Sequence, residues 1–508
     1  MGNSKTANRL AKNTFFLYLR SFILLAISIY SSRVVLNVLG VEDYGLYNLV
    51  GGVVALFSSL KVVFTSAIQR FINYTRGEGN EEMVKHVFSL SFIIQILLAV
   101  FFCIVVETFG LWFIPNKLVI PEYMLETAMF VFHCSIAASV VYIVSIPFNA
   151  LVIANEKMNI YAYISISEAL LRLLAVFLLI ILPFIKLRSY AVLILIIQIF
   201  FFIVYYCYCK RFPECKIEKY WDKTLFKRLA SFSGWNFFGN MVFSLVNEGL
   251  NFILNLFGGL VTNAARGIMT QVRNAIETLS SNLFMASQPF IMQQAATVKR
   301  ETLFDYICSL SRVIYYVILV TVIPLFVYTE QVLSLWLVET PPFTVAFVRV
   351  ILIFELIRSL HAPVEMLFLS VGKLKRYQIT ELFVLFLSLP FSYLLLKKNF
   401  PVYTAYIVMT IVEFINLISI LFVAKKETGF SVMYYFRVVL SSCFLSFLIV
   451  AGVGCCFYLF LCNFSILMSL ICMVFCALIS SSCVYLFILS ENEKDMILSA
   501  IKKKNNKS

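Results

Sequence analysis

Four charged side chains stand inside long apolar runs: Arg20, Lys61, Glu248 and Arg266. A guanidinium kept away from bulk water is suited to gripping phosphate or carboxylate oxygens, because it stays charged and its planar fork meets two oxygens at once. Lys61 offers a point charge to the same end, and Glu248 could offset a cation in an empty site or carry a proton. Asn236, Asn240, Asn247, Asn251 and Asn255 recur over one stretch, and the first four share roughly one helical face. Such a stripe hydrogen-bonds either sugar hydroxyls or a neighbouring helix. The candidate ligand-binding set is therefore Arg20, Arg266, Lys61, Glu248, Asn247 and Asn251, with Arg273 as a secondary candidate if its pairing is loose. The competing reading for each charged residue is an ion pair that fixes helix packing.

The elements that must position these residues are membrane helices. The chain has 508 residues, 61% of them hydrophobic and only 13% charged. A soluble fold of that size needs far more polar cover. Barrel strands alternate over about 10 residues, whereas the apolar runs here reach the ~20 residues that a helix needs to cross a bilayer. The pattern predicts an all-α polytopic membrane protein of about 14 helices, near 14–37, 44–66, 87–109, 125–149, 161–183, 189–209, 233–257, 263–287, 306–329, 343–369, 379–396, 402–424, 434–461 and 464–489. The basic start at Lys5, Arg9 and Lys12 precedes the first of these and reads as its flank rather than as a cleaved leader.

Other charges at bilayer depth are less promising. Glu168 with Arg172 and Arg273 with Glu277 are spaced i,i+4, and Glu355 with Arg358 i,i+3, so each pair reads as self-neutralised. Arg33, Glu107, Arg312, Arg349, Glu381 and Glu413 fall near helix ends and could snorkel. The 13 cysteines contain no CxxC pair and the three histidines, His86, His133 and His361, are scattered, so no metal, no cofactor and no catalytic residue is expected.

The net charge of +14, with 41 Lys and Arg against 27 Asp and Glu, reflects membrane topology and not a nucleic-acid partner. With a cytoplasmic N-terminus the inner connections hold 27 of the Lys and Arg and the outer ones 5. That ratio places both termini in the cytoplasm of a multi-pass inner-membrane protein. Outer connections are short. The longest inner one, 210–232, has Asp222 as an N-cap and Leu225, Phe226, Leu229 and Phe232 on one face, an amphipathic helix for the inner leaflet.

An internal repeat divides the chain. Leu36-Asn37-Val38-Leu39-Gly40 matches Leu254-Asn255-Leu256-Phe257-Gly258 at a spacing of 218, and Ala67-x-Gln69-x-Phe71-Ile72 matches Ala286-x-Gln288-x-Phe290-Ile291 at 219. Six helices separate the copies, so both halves enter the membrane in the same sense, a parallel repeat. The expected organisation is an N-lobe over 1–209, the linker 210–232, a C-lobe over 233–424, two extra helices over 425–490 and a basic tail over 491–508.

The turn Leu39-Gly40-Val41-Glu42-Asp43-Tyr44-Gly45-Leu46-Tyr47, after Asn13-Thr14-Phe15 and an apolar helix, resembles Wzx-type polysaccharide (O-antigen) flippases of the multidrug/oligosaccharidyl-lipid/polysaccharide exporter superfamily. The resemblance implies two six-helix lobes around a central cavity, often with two extra helices. It also implies passage of undecaprenyl-diphosphate-linked oligosaccharide units across the membrane for lipopolysaccharide assembly. Membrane lipid and that lipid-linked sugar are the implied partners, and H+ or Na+ remains open as coupling ion. The second half departs from the turn pattern at Gly258-Gly259-Leu260-Val261-Thr262-Asn263. Read without the family, Gly40 reverses the chain and Asp43 caps the next helix.

The expected activity is flipping by alternating access, without enzymatic chemistry. The alternatives are a drug/cation antiporter of the same superfamily, which needs acids where the first helix has Arg20 and Arg33, and a membrane-embedded polymerase or glycosyltransferase, which the short outer loops disfavour. A channel is weaker, since no repeated filter-like segment is visible.

Overall fold

The computed structural model describes residues 2–55, 80–155, 157–181, 185–216, 222–297, 300–371, 373–461 and 466–489, with 218 and short stretches between 64 and 76. Lys61, much of the second expected span, the side chains of Asn236 and Asn240, and the tail over 491–508 lie outside the described residues. Among the described residues the chain is all-helical, and eleven helices are long and apolar enough to cross a membrane. It divides into two compact units, Met1–Gly267 and Ile268–Ser508.

Unit 1 contains α1 (Gly2–Leu39), α2 (Val41–Ala55), α3 (Glu81–Lys117), α4 (Glu122–Ala154), α5 (Met158–Ile181), α6 (Lys186–Cys209) and the first part of α7 (Lys223–Thr297). In it α1 packs on α5, α3 on α4, and α4 on α6. One end of the unit is an aromatic core centred on Phe148, whose ring meets Phe88, Phe92, Phe202 and Tyr206 edge-on at 5.6 to 5.9 Å. Arg76 ties this end together, donating to the Ala154 carbonyl at 3.0 Å and to Glu214 at 2.8 Å. Asp222 caps α7 by accepting from the Thr224 and Leu225 amides. Leu225 is buried in the core of unit 1 with Phe226 packed beside it, so these two residues of the amphipathic stretch face protein, while the side chains of Leu229 and Phe232 lie outside the described residues.

The stretch α7 holds two helices, in keeping with the spans expected at 233–257 and 263–287. They meet at Gly259 (φ 64°, ψ −164°), a conformation open to glycine and strained for other residues, and the chain folds back there so that Glu248 and Arg266, 18 residues apart, lie 3.0 Å from each other. Thr262 heals the break by donating to the carbonyls of Leu254 and Gly259.

Unit 2 contains the rest of α7, then α8 (Arg300–Val327), α9 (Thr329–Trp336), α10 (Thr344–Val371), α11 (Leu374–Phe386), α12 (Ser388–Lys397), α13 (Thr404–Thr428), α14 (Val432–Tyr435), a π-turn over Phe436–Leu440, α15 (Ser441–Leu461) and α16 (Ile466–Phe487). Helix α10 packs between α8 and α13, while α15 and α16 lie against α8. The span expected at 379–396 is broken at Leu387, because Pro390 lacks an N–H and its ring crowds the carbonyl four residues earlier.

Candidate functional site

Unit 1 carries a half-open cavity of 220 Å³ with polar side chains in its wall. Its wall is drawn from the start of the apolar part of α1 (Leu19–Leu39), from the first half of α5 and from the later part of α4 and α6. Arg20 comes from α1 and Tyr142 from α4; Tyr161, Glu168 and Arg172 come from α5, and Tyr205 from α6. Helical spacing makes this wall: Tyr142, Ser145 and Asn149 recur at three and four residues, and Tyr161, Ser165, Glu168 and Arg172 at four, three and four.

The two guanidinium groups there differ. Arg172 donates to Glu168 Oε1 from Nε at 3.2 Å and Nη2 at 2.8 Å, and to Gln198 Oε1 at 3.1 Å. Arg20 lies over the Tyr161 ring, 4.6 Å from its centroid, and donates to the Tyr161 hydroxyl at 3.5 Å. Its buried Nε has no hydrogen-bond acceptor. Two cations against one carboxylate leave the cavity with one excess positive charge, on a side chain held by an aromatic face.

A second polar assembly joins α2 to α7. Arg266 and Glu248 form an ion pair at 3.0 Å, both with less than a tenth of the side chain exposed. Asn247 and Asn251 each donate to Glu248, and Asn251 also donates to the Asn48 carbonyl on α2. Asn263 donates to Asn251 and accepts from Asn255. Asn255 then pairs in both directions with the backbone of Val119. The helices approach closely enough that a β-carbon on Gly52 would meet Asn251 and Glu248 at 2.5 Å, and one on Gly267 would meet Asn48 at 2.7 Å.

Unit 2 carries a third assembly. Arg273 donates to Glu355 at 3.0 Å, both buried. Arg358 bridges Glu381 at 3.2 Å and Glu413 at 3.1 Å. The short-range pairings Arg273–Glu277 and Glu355–Arg358 expected from spacing are thus replaced by pairings between helices. The buried Glu355 on α10 and Glu413 on α13 and the partly buried Glu381 on α11 take these cations, while Glu277 is exposed. Glu168–Arg172 forms as expected, at 2.8 Å.

No family model matches the chain, and no curated protein matches it in sequence. Solved structures do match in fold. An inward-facing multidrug-resistance MATE family transporter of the MOP superfamily superposes with a TM-score of 0.69 at 17% identity, covering 81% of this chain and 94% of that one. The lipid II flippase MurJ in an inward closed conformation superposes with a TM-score of 0.68 at 12% identity, covering 93% and 99%. A MOP superfamily transporter from Pyrococcus furiosus, described by the reverse polarity of its binding pocket, superposes at 0.56 with 15% identity, covering 82% and 96%. The chain has the MOP-superfamily fold.

Within this fold the structure gathers Arg266, Glu248, Asn247 and Asn251 into one hydrogen-bonded cluster, and none of the four lines the cavity that holds Arg20. Arg266 lies there on Glu248 and faces no open gap. Arg273 belongs to the ionic centre of unit 2. Sequence reasoning passed over Arg172, Gln198 and the tyrosines of the cavity wall. The signal that finds them is the run of polar residues at three- and four-residue steps in α4 and α5.

Proposed function

We propose that the chain flips undecaprenyl-diphosphate-linked oligosaccharide units from the inner to the outer leaflet of the cytoplasmic membrane, by alternating access of an N-lobe (1–209) and a C-lobe (233–424). The observation that carries this reading is the cavity of 220 Å³ in unit 1 with Arg20 in excess of its carboxylate. On this measure one water takes about 10–15 Å³, so the space has room for a diphosphate headgroup with its first sugar. Arg20 supplies the fork for phosphate oxygens, and Tyr142, Tyr161 and Tyr205 supply faces and hydroxyls for a sugar. With both termini cytoplasmic, the parts of these helices that line the cavity belong to the inner half of the membrane, where such a substrate is loaded. Arg266 with Glu248 acts in this scheme as a clasp between the two arms of α7, on either side of Gly259.

A drug or cation antiporter shares the fold, as the MATE structures do, but a cationic substrate would meet an unneutralised guanidinium in this cavity. The MOP transporter described by reversed pocket polarity shows that the sign of charge varies on this fold. The testing experiment is charge reversal. Cells carrying Arg20→Glu accumulate lipid-linked repeat units on the inner leaflet while the protein stays in the membrane. Normal surface polysaccharide from that variant removes Arg20 from the site.

A further inference from the structure

Unit 2 holds a titratable centre that headgroup binding does not use. His361 on α10 is 1% exposed, and Glu413 and Asn416 on α13 are fully buried. His361 Nδ1 lies 3.1 Å from Glu413 Oε1, and Nε2 lies 2.9 Å from the Tyr377 hydroxyl. The groups that face this imidazole are Arg358 and Glu365 from its own helix, Tyr377 and Glu381 from α11, and Glu413 and Asn416 from α13. Among the described residues three carboxylates stand against one guanidinium, Glu413 fully buried and Glu365 and Glu381 partly so, and with a neutral imidazole the group is short of positive charge. Buried charge of that kind is costly unless something neutralises it.

The hydrogen bonding of the centre is also incomplete. Glu413 Oε2 and Asn416 Oδ1, one turn apart on α13, are buried acceptors with no donor. An ion-pair staple has no need of spare acceptors. One added proton supplies a donor and adds positive charge in the same step. The site is reachable, because His361 and Glu365 line a cavity of 160 Å³ with Glu277, Ser280 and Ser281. A metal cation would have to settle beside the Arg358 guanidinium, which repels it. An imidazole between two carboxylates is a proton acceptor by nature.

We propose that the His361–Glu413 pair binds one exchangeable proton and that this proton is the coupling ion of transport. The pair shares the proton, taken from water in the cavity and returned to water, so the titration belongs to the pair rather than to either residue. The coupling half rests on the flippase reading; the binding half does not.

The test uses the full chain in vesicles without substrate, stepped from about pH 8 to about pH 5, the range over which histidine titrates. Proton uptake is measured with an indicator dye, and infrared difference spectra resolve carboxyl and imidazole bands. The expected result is uptake that His361→Gln and Glu413→Gln each reduce by about one proton per chain, unchanged when sodium replaces potassium. Tyr377→Phe removes one hydroxyl only and serves if the other variants fail to insert. It keeps the proton but moves its midpoint by roughly half a pH unit or more. Uptake and spectra identical in wild type and all variants overturn the site, and so does displacement of the proton by sodium. In cells, Glu413→Gln stops export of surface polysaccharide; export that persists after the proton signal is lost overturns the coupling while leaving the flippase reading intact.

Discussion

Gly45 on α2 abuts the backbone of Leu260 so closely that a β-carbon there would lie 2.1 Å from the Leu260 carbonyl oxygen. The Asp43-Tyr44-Gly45 turn therefore does more than reverse the chain. It seats α2 against α7 just past the break at Gly259. Backbone atoms cannot give way as a side chain can, so Gly45→Ala is expected to destabilise the protein by about 1–3 kcal/mol. Gly51 has nothing within 4 Å of its β-position, so Gly51→Ala is the matched control and leaves stability near wild type. Thermal unfolding of the two variants in detergent separates them; equal midpoints contradict the close packing.

The Arg266–Glu248 pair gives a second expectation. Removing one partner of a buried pair leaves an uncompensated charge and costs about 3–5 kcal/mol, whereas replacing both with apolar residues is often neutral. Glu248→Leu and Arg266→Met should each lower the folded yield strongly, and the double variant should recover it. A double variant no better than either single one contradicts direct pairing.

How far the sequence reached differs between elements. The helices were legible because each carries an apolar run of membrane length, and a bilayer leaves the backbone few alternatives. The break at Leu387 is not legible from Pro390 alone, because Pro147 sits inside an unbroken α4. Arg20 was singled out because nothing at helical spacing neutralises it, and it does line a cavity. Arg172 was set aside because Glu168 is four residues away. That pair forms, but a paired arginine can still line a site. Arg273 and Arg358 were assigned to acids on their own turns, whereas their observed partners come from other helices, information that spacing along one helix does not contain. His361 looked isolated for the same reason, since Tyr377 and Glu413 reach it from α11 and α13.

Cys215, in the connection after α6 and outside the spans, supplies a pH test of the packing there. Burial, aided by the neighbouring Glu214 carboxylate, pushes its thiol up to about 11. An ordinary cysteine thiol titrates near ~8.5. The thiolate is the reacting form, so in a background with Cys215 as the sole cysteine, alkylation should be slow at neutral pH and still rising above pH ~9. A rate that levels off by that pH contradicts the half-buried setting of Cys215.

Orientation is tested by labelling. Single cysteines introduced beside Lys117 and Lys186 in a cysteine-free chain should react with an impermeant reagent added outside. Those beside Lys216 and Lys373 should react only after the membrane is opened. The opposite pattern would invert the assignment of the cavity to the cytoplasmic half.

The central claim is that the unneutralised Arg20 guanidinium receives an anionic lipid-linked headgroup. The direct measurement is transbilayer movement of an undecaprenyl-diphosphate-linked oligosaccharide in vesicles holding the purified full chain. Wild type should move it, Arg20→Lys should move it at least tenfold more slowly, a difference of about 1.4 kcal/mol for loss of the bidentate fork, and Arg20→Glu should not move it. Equal rates for all three proteins would show that the cavity of unit 1 does not hold the diphosphate.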